Sequence, residues 1–214
     1  MAERTRLVKG DRVRLRKVLP YTDTVYFALS WNTNRYREKR DFDLDLSMVC
    51  LDEDEICQDD RYFIWYEHKV SPKSALTHSG DNKKGVEDES EGDAEVIKIK
   101  LDKIPDWVKS IVPVITIYDH RDDQHFGLVD NAYIRIMDNN EEEKLRFSLS
   151  EEAHVADNVG MVFGKLTRMN DEGEWEFVAV EEGSNYDLED YIELYGMTVY
   201  GVVKKYAPHM LKDQ

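Results

Sequence analysis

Apolar and polar residues alternate along much of this chain, and a period of two predicts strands. Residues 41–46 alternate most cleanly, with Phe42, Leu44 and Leu46 on one face and Asp41, Asp43 and Asp45 on the other. Aspartates on that face would stand about 7 Å apart. The strand is read as 41–51, with Cys50 as a small core residue. Residues 12–18 alternate too and predict a first strand with a basic outer face. Segments 24–31, 62–66 and 112–118 are more continuously apolar, and the β-branched 112–118 is expected to be central. Residues 95–101 predict another strand. Two hairpins are expected, 132–137 with 144–149, and 159–167 with 175–180 around Asn170-Asp171-Glu172-Gly173. A polar, basic loop is expected at 32–39 and one helical turn at 104–109, opened by Pro105. Leu188, Tyr191, Ile192 and Tyr195 recur at helical spacing within 184–195, and Gly196 stops the pattern. Many short strands with one or two short helices predict a mainly β fold, a two-sheet β-sandwich.

At 214 residues, with 41% hydrophobic and 35% charged residues, one globular domain is the default. The net charge of −16 disfavours nucleic acid and anionic membrane surfaces, both of which attract basic proteins. It fits a cation-binding protein, and equally a merely soluble one. Two cysteines, Cys50 and Cys57, without a CxxC spacing suggest reduced thiols and a cytoplasmic location. The first residues lack the apolar run of a signal peptide. The longest apolar run, 111–118, is far short of the ~20 residues of a membrane-spanning helix.

Charge becomes chemistry at 79–95, where Asp81, Glu87, Asp88, Glu89, Glu91, Asp93 and Glu95 face only Lys83 and Lys84. Gly80, Gly85 and Gly92 let this stretch turn tightly. Carboxylates a few ångströms apart repel by roughly 1 kcal/mol per pair in water. The loop therefore stays open and solvated, or a cation closes it. Aspartate is depleted from strands, so the row at 41–45 also asks for a positive partner. Ca²⁺ accepts six to eight oxygen ligands in irregular geometry. No EF-hand register fits, because starting at Asp81 puts Lys83 at a ligand position. Any site is discontinuous, built from a strand face and a loop, with Glu87 to Glu91 left solvated. His120 and His125 flank Asp122 and Asp123, a pattern read as surface-loop chemistry rather than a zinc or catalytic site. No nucleophile triad, P-loop or dinucleotide fingerprint is present, and Trp31, Trp65, Trp107 and Trp175 read as packing residues.

Four segments resemble the TerD family of tellurium-resistance and general stress proteins. Asp41-Phe42-Asp43-Leu44-Asp45 resembles DFDLD, and 77–85 resembles H-T-G-D-N-x-x-G. Gly92-Asp93-Ala94-Glu95 with the strand after it resembles GDDE, and 126–135 resembles FGQV-x-x-A-F-I-R. Weaker similarity continues in order, covering roughly 5–197. Four departures stand out: Ala94 in place of the second aspartate, a longer acidic segment between Gly85 and Gly92, Trp65-Tyr66-Glu67-His68 in place of F-Y-N-N, and a tail after Gly196. The domain is read as 1–196 and the C-terminal extension as 197–214.

The resemblance implies a sandwich binding Ca²⁺ in acidic loops, with no established enzymatic activity. The expected ligands are Asp43, Asp45, Asp81, Asn82, Asp93 and Glu95, with Asp41 contributing and Gly85 offering a carbonyl. His78 is expected to make a structural hydrogen bond, since hard cations prefer oxygen. The implied function is a non-enzymatic Ca²⁺-binding stress protein that contacts other proteins of a stress or tellurium-resistance system, with no nucleic acid and no direct membrane insertion. Two alternatives stay open: a Ca²⁺-dependent sandwich for a small ligand or carbohydrate, and a metal-dependent hydrolase using Asp and His.

Overall fold

The computed structural model describes residues 5–20, 23–33, 41–119, 124–149, 155–169 and 173–213. The first six strands are β1 (Thr5–Arg6), β2 (Arg12–Arg14), β3 (Thr24–Ser30), β4 (Leu44–Leu51), β5 (Phe63–Ile64) and β6 (Leu76–His78). Then come β7 (Glu95–Lys100), β8 (Ser110–Ile117), β9 (Tyr133–Met137), β10 (Glu143–Ser148), β11 (Gly160–Arg168) and β12 (Trp175–Ser184). Three helices are present among the described residues: α1 (Leu15–Val18), α2 (Leu188–Leu194) and α3 (Val199–Tyr206). One sheet runs β1-β10-β9-β3-β7-β6 and the other β2-β12-β11-β8-β4-β5. The expected mainly β, two-sheet architecture is what forms, with both expected hairpins and β8 interior between β11 and β4.

Strand alternation builds the core. Val25, Phe27 and Leu29 of one sheet face Leu44, Leu46, Met48 and Cys50 of the other, all fully buried. The Phe163 ring sits 6.4 Å from Phe27, edge-on as aromatic pairs prefer, and 5.3 Å from Phe177 at a tilt of 35°.

The second sheet is also covered on its outer face, so all eight residues of β4 are buried. Val49, Leu51, Phe63, Trp65, Val112 and Val114 form a second apolar cluster with Tyr191 and Ile192 of α2 and Val202 and Val203 of α3. A capping box starts α2: Asp187 accepts from the Asp190 N–H, and Asp190 accepts from the Asp187 N–H. The extension read from 197 onward contains α3 and forms part of this layer.

Several boundaries differ from the pattern. The 12–18 strand ends at Arg14, because Leu15 turns into the core at the start of α1. The aspartate strand begins only at Leu44, opposite Ile117 at the end of β8, so Asp41 and Asp43 precede it. The 62–66 strand is reduced to Phe63–Ile64 after a 3-10 turn at Asp60–Tyr62. At 104–109 there is a reverse turn rather than a helical one, closed by Val108 N–H donating to Pro105 O at 3.1 Å. Ile104 and Val108, on either side of it, are both buried. Most of the 32–39 loop and the 170–172 part of the second hairpin turn lie outside the described residues.

Candidate metal centre

Strand β5 pairs with β4 only at Met48 and Val49, so the first half of β4 has no strand on that side. Buried backbone groups there must still be satisfied. Two side chains from the opposite sheet do this at Leu46. Glu95 Oε2 accepts the Leu46 N–H at 2.7 Å, and His78 Nε2 donates to Leu46 O at 3.0 Å. His78 Nδ1 accepts from the Gly80 N–H at 3.0 Å, which leaves the ring proton on Nε2. His78 thus makes the structural hydrogen bonds expected of it. Glu95, fully buried, takes a second bond at Oε1 from the Asn82 N–H at 3.2 Å. Its carboxylate ties the loop after β6 to the edge of β4.

The same loop is folded from within. Asn82 Oδ1 accepts from the Lys84 and Gly85 N–H groups, both at 3.1 Å. Gly85 sits at φ +79°, where a Cβ would lie 2.5 Å from Trp31 O. Val86 then bonds back to Trp31 O at 2.9 Å. These restraints hold Asp81 opposite the start of β4.

Asp43, Asp45 and Asp81 consequently converge, one carboxylate oxygen from each lying within 4.8 Å of the others. Asp81 is at the surface, Asp43 is half-buried, and Asp45 is only 3% exposed. Asp45 Oδ2 is buried and meets no hydrogen-bond donor among the described residues. Burial pushes the Asp45 carboxyl well above the usual range, and the charges of Glu95, Asp43 and Asp81 push it further. Lys83 opposes them weakly; its Nζ lies 3.3 Å from Asp81 Oδ2 on a side chain that is mostly exposed. The cluster opens into a recess of about 210 Å³ whose walls include Tyr66, Tyr118, His209 and Met210. Burial first, and then Asp45, raise the Tyr66 hydroxyl well above its usual range. Three hard oxygen donors around one buried unsatisfied atom suit a divalent cation such as Ca²⁺.

The other expected ligands lie differently. Asp93 is held bidentately by Arg135, Oδ1 from Nε at 2.8 Å and Oδ2 from Nη2 at 2.6 Å. Asp41 lies outside the three-carboxylate cluster. Asn82, Gly85 and Glu95 shape the loop that carries Asp81. Glu87, Asp88 and Glu91 of the acidic insertion stay exposed around a 3-10 turn at Glu89–Glu91, with Asp88 accepting from the Ser90 N–H and Glu91 from the Glu87 N–H. His125 Nδ1 bonds Ala156 O at 2.8 Å, while His120, Asp122 and Asp123 lie outside the described residues. Pattern reading passed over Tyr66, Tyr118 and Met210 as walls of the site. The Asp93–Arg135 pair was present in two of the quoted motifs, but nothing in either motif joins them.

Comparison with known proteins identifies the family. The family model of the TerD domain matches residues 4–195. Tellurium resistance protein TerD of Serratia marcescens is 39% identical over 193 residues, covering 89% of this chain and 96% of that protein. General stress protein 16U of Bacillus subtilis is 36% identical over 195 residues, covering 90% and 97%. The solved structure of a TerD homologue from Streptomyces coelicolor superposes with a TM-score of 0.59 at 21% identity, over 77% of this chain and 92% of that one. The similarity spans both sheets and every motif around the three carboxylates, and the chain belongs to the TerD domain family.

Proposed function

We propose that this chain is a calcium-binding stress protein of the tellurium-resistance kind, acting in the cytoplasm through Ca²⁺-dependent contacts with other proteins rather than by catalysis. One observation carries the reading: Asp45 is buried, has an oxygen with no donor, and shares a 4.8 Å neighbourhood with Asp43 and Asp81. Such a group is costly unless neutralised by a proton or a cation. Asp43, Asp45 and Asp81 would hold the ion, with water or carbonyls completing its shell. The resistance role is supported by the names of relatives that match along nearly their whole length. Among the described residues no helix is long and apolar enough to cross a membrane. The test is thermal unfolding and native mass spectrometry in chelator, Ca²⁺ and Mg²⁺. Ca²⁺ at a hundredfold over its dissociation constant adds about 2.7 kcal/mol, a shift of several degrees. Mg²⁺ should do much less, because it resists dehydration. Equal melting in chelator and Ca²⁺ overturns the proposal.

A further inference from the structure

The outer face of the second sheet changes character along its strands. With Leu44, Leu46, Met48 and Cys50 turned into the sandwich, alternation turns Asp45, Ser47, Val49 and Leu51 of β4 outward. Val49 and Leu51 pack with α2 and α3, while Asp45 and Ser47 lie at the other end, with Thr116 of β8 opposite Asp45. At that end a groove of about 280 Å³ opens between the sheet and the start of α2. Trp65 forms part of its wall and is only 2% exposed. The Trp65 ring is held from two sides, stacked on Phe63 at 6.3 Å and edge-on to Tyr66 at 4.9 Å. Its Nε1 is buried and meets no acceptor among the described residues. Ser47 Oγ, buried on the same face, also lacks a partner among them. An indole N–H can only donate, and a buried donor left unpaired is costly. Trp65 therefore asks for an oxygen acceptor.

The rest of the wall limits which acceptor can enter. Asp119, Asp187 and Glu189 stand toward the surface, and no lysine, arginine or histidine lines the groove, so an anion is repelled. An ammonium or guanidinium has no lone pair to offer Trp65. What remains is a neutral molecule with oxygen acceptors, and with hydroxyls that donate to the carboxylates. Tyr118, 40% exposed and edge-on to Tyr66 at 6.0 Å, offers apolar ring surface at the mouth. We propose that this groove binds a neutral polyhydroxylated compound, a single free sugar ring. One ring oxygen or hydroxyl accepts from Trp65 Nε1, other hydroxyls donate to the rim carboxylates, and a C–H face packs on Tyr118. The size agrees, because ligand clefts begin at about 300 Å³, which suits one ring rather than a chain of them. The proposal stands apart from the calcium reading, since neither Trp65 nor the three rim acids belong to the cluster of Asp43, Asp45 and Asp81.

The experiment follows the indole N–H signals of the full-length protein by proton–nitrogen correlation NMR in chelator, so that calcium plays no part. D-glucose and D-galactose are titrated, each beside its uronate, D-glucuronate and D-galacturonate. Trp65→Phe identifies the Trp65 signal by its loss. The expected result is a saturable shift of that signal by at least one hexose, with the corresponding uronate binding about tenfold more weakly because its carboxylate meets the acid rim. The Trp31 signal should not move, because Trp31 Nε1 already donates to Phe42 O at 3.0 Å. Trp65→Phe keeps an aromatic ring and removes the donor, and should weaken hexose binding about tenfold by saturation-transfer difference. Tyr118→Ala, at the exposed mouth, should weaken it several-fold in a protein that stays folded. A Trp65 signal unmoved by both hexoses, a uronate that binds as tightly as its hexose, or affinity unchanged in folded Trp65→Phe or Tyr118→Ala overturns the proposal and leaves the groove to solvent.

Discussion

Glu95 and Leu46 belong to opposite sheets, and the buried carboxylate of the first accepts the backbone N–H of the second at 2.7 Å. With the Asn82 N–H on its other oxygen, Glu95 is a strut between the sheets and the loop that carries Asp81. It also lies close enough to Asp45 for its charge to raise that carboxyl.

Glu95→Gln should therefore destabilise the protein. An amide offers one oxygen where the structure needs two acceptors, so one buried N–H would face an NH₂ group. The expected loss is about 1–3 kcal/mol, the usual cost of a buried unsatisfied group. Urea unfolding in chelator and in Ca²⁺ should show similar losses. A loss confined to the Ca²⁺ condition would make Glu95 a ligand rather than a strut.

Asp45→Asn should act in the opposite direction on the metal-free protein. The folded state raises the Asp45 carboxyl above its unfolded value near 4, so between the two values the folded state binds more protons. Stability then falls as pH rises through that window, and below it the penalty vanishes. The difference between wild type and Asp45→Asn, measured in chelator from pH 4 to 8, should grow in favour of the variant. Ca²⁺ binding by the wild type should strengthen over the same range, because the ion displaces a proton. A pH-independent difference would mean that Asp45 is not strained.

Asp93→Asn tests a different role for a carboxylate of the same motif. Its pair with Arg135 is largely buried, with side-chain exposures of 5% and 23%. Breaking a buried pair costs about 3–5 kcal/mol, and the partial exposure of Arg135 places this one near or below the lower figure. Calcium affinity should be retained, because the cluster of Asp43, Asp45 and Asp81 does not include it. Titration calorimetry on the folded variant decides, and a lost calcium step would return Asp93 to the metal site.

The contrast between Asp45 and Asp93 shows what the sequence could tell. Alternation at 41–46 placed Phe42, Leu44 and Leu46 in the core, because a period of two is a local property of strands. It could not say that the strand starts at Leu44, which depends on where β8 ends at Ile117. Nor could it separate a carboxylate paired within the fold from those that gather in the three-carboxylate cluster. Asp93 finds Arg135 only because β7 and β9 both pair with β3, a long-range register that no motif spacing contains. The acidic run at 87–91, expected to stay solvated, forms a local turn that bonds to itself. Helix α3 was not expected: the residues after Gly196 were read only as an extension, and Val199, Val202 and Val203 are β-branched types with low helix propensity.

That helix gives the last prediction. Residues beyond 196 looked like an appendage, yet Val202, Val203 and Ala207 are buried against Val49, Val112 and Val114. Tyr206 also donates from its hydroxyl to Asp60 at 2.9 Å and stacks on His68 at 3.8 Å. Each buried aliphatic side chain contributes about 1.5–3 kcal/mol. Ending the chain at Gly196 should thus remove several kcal/mol and expose the outer face of the second sheet, with lower melting temperature and aggregation as the readouts. Val202→Ala is the milder probe and should cost about 2 kcal/mol without aggregation. Met210 and His209 also line the metal recess, so the shortened chain should bind Ca²⁺ with altered affinity even where it stays folded. A chain ending at Gly196 that melts and binds calcium like the full-length protein would make the extension dispensable and end the domain where the alternating pattern ends.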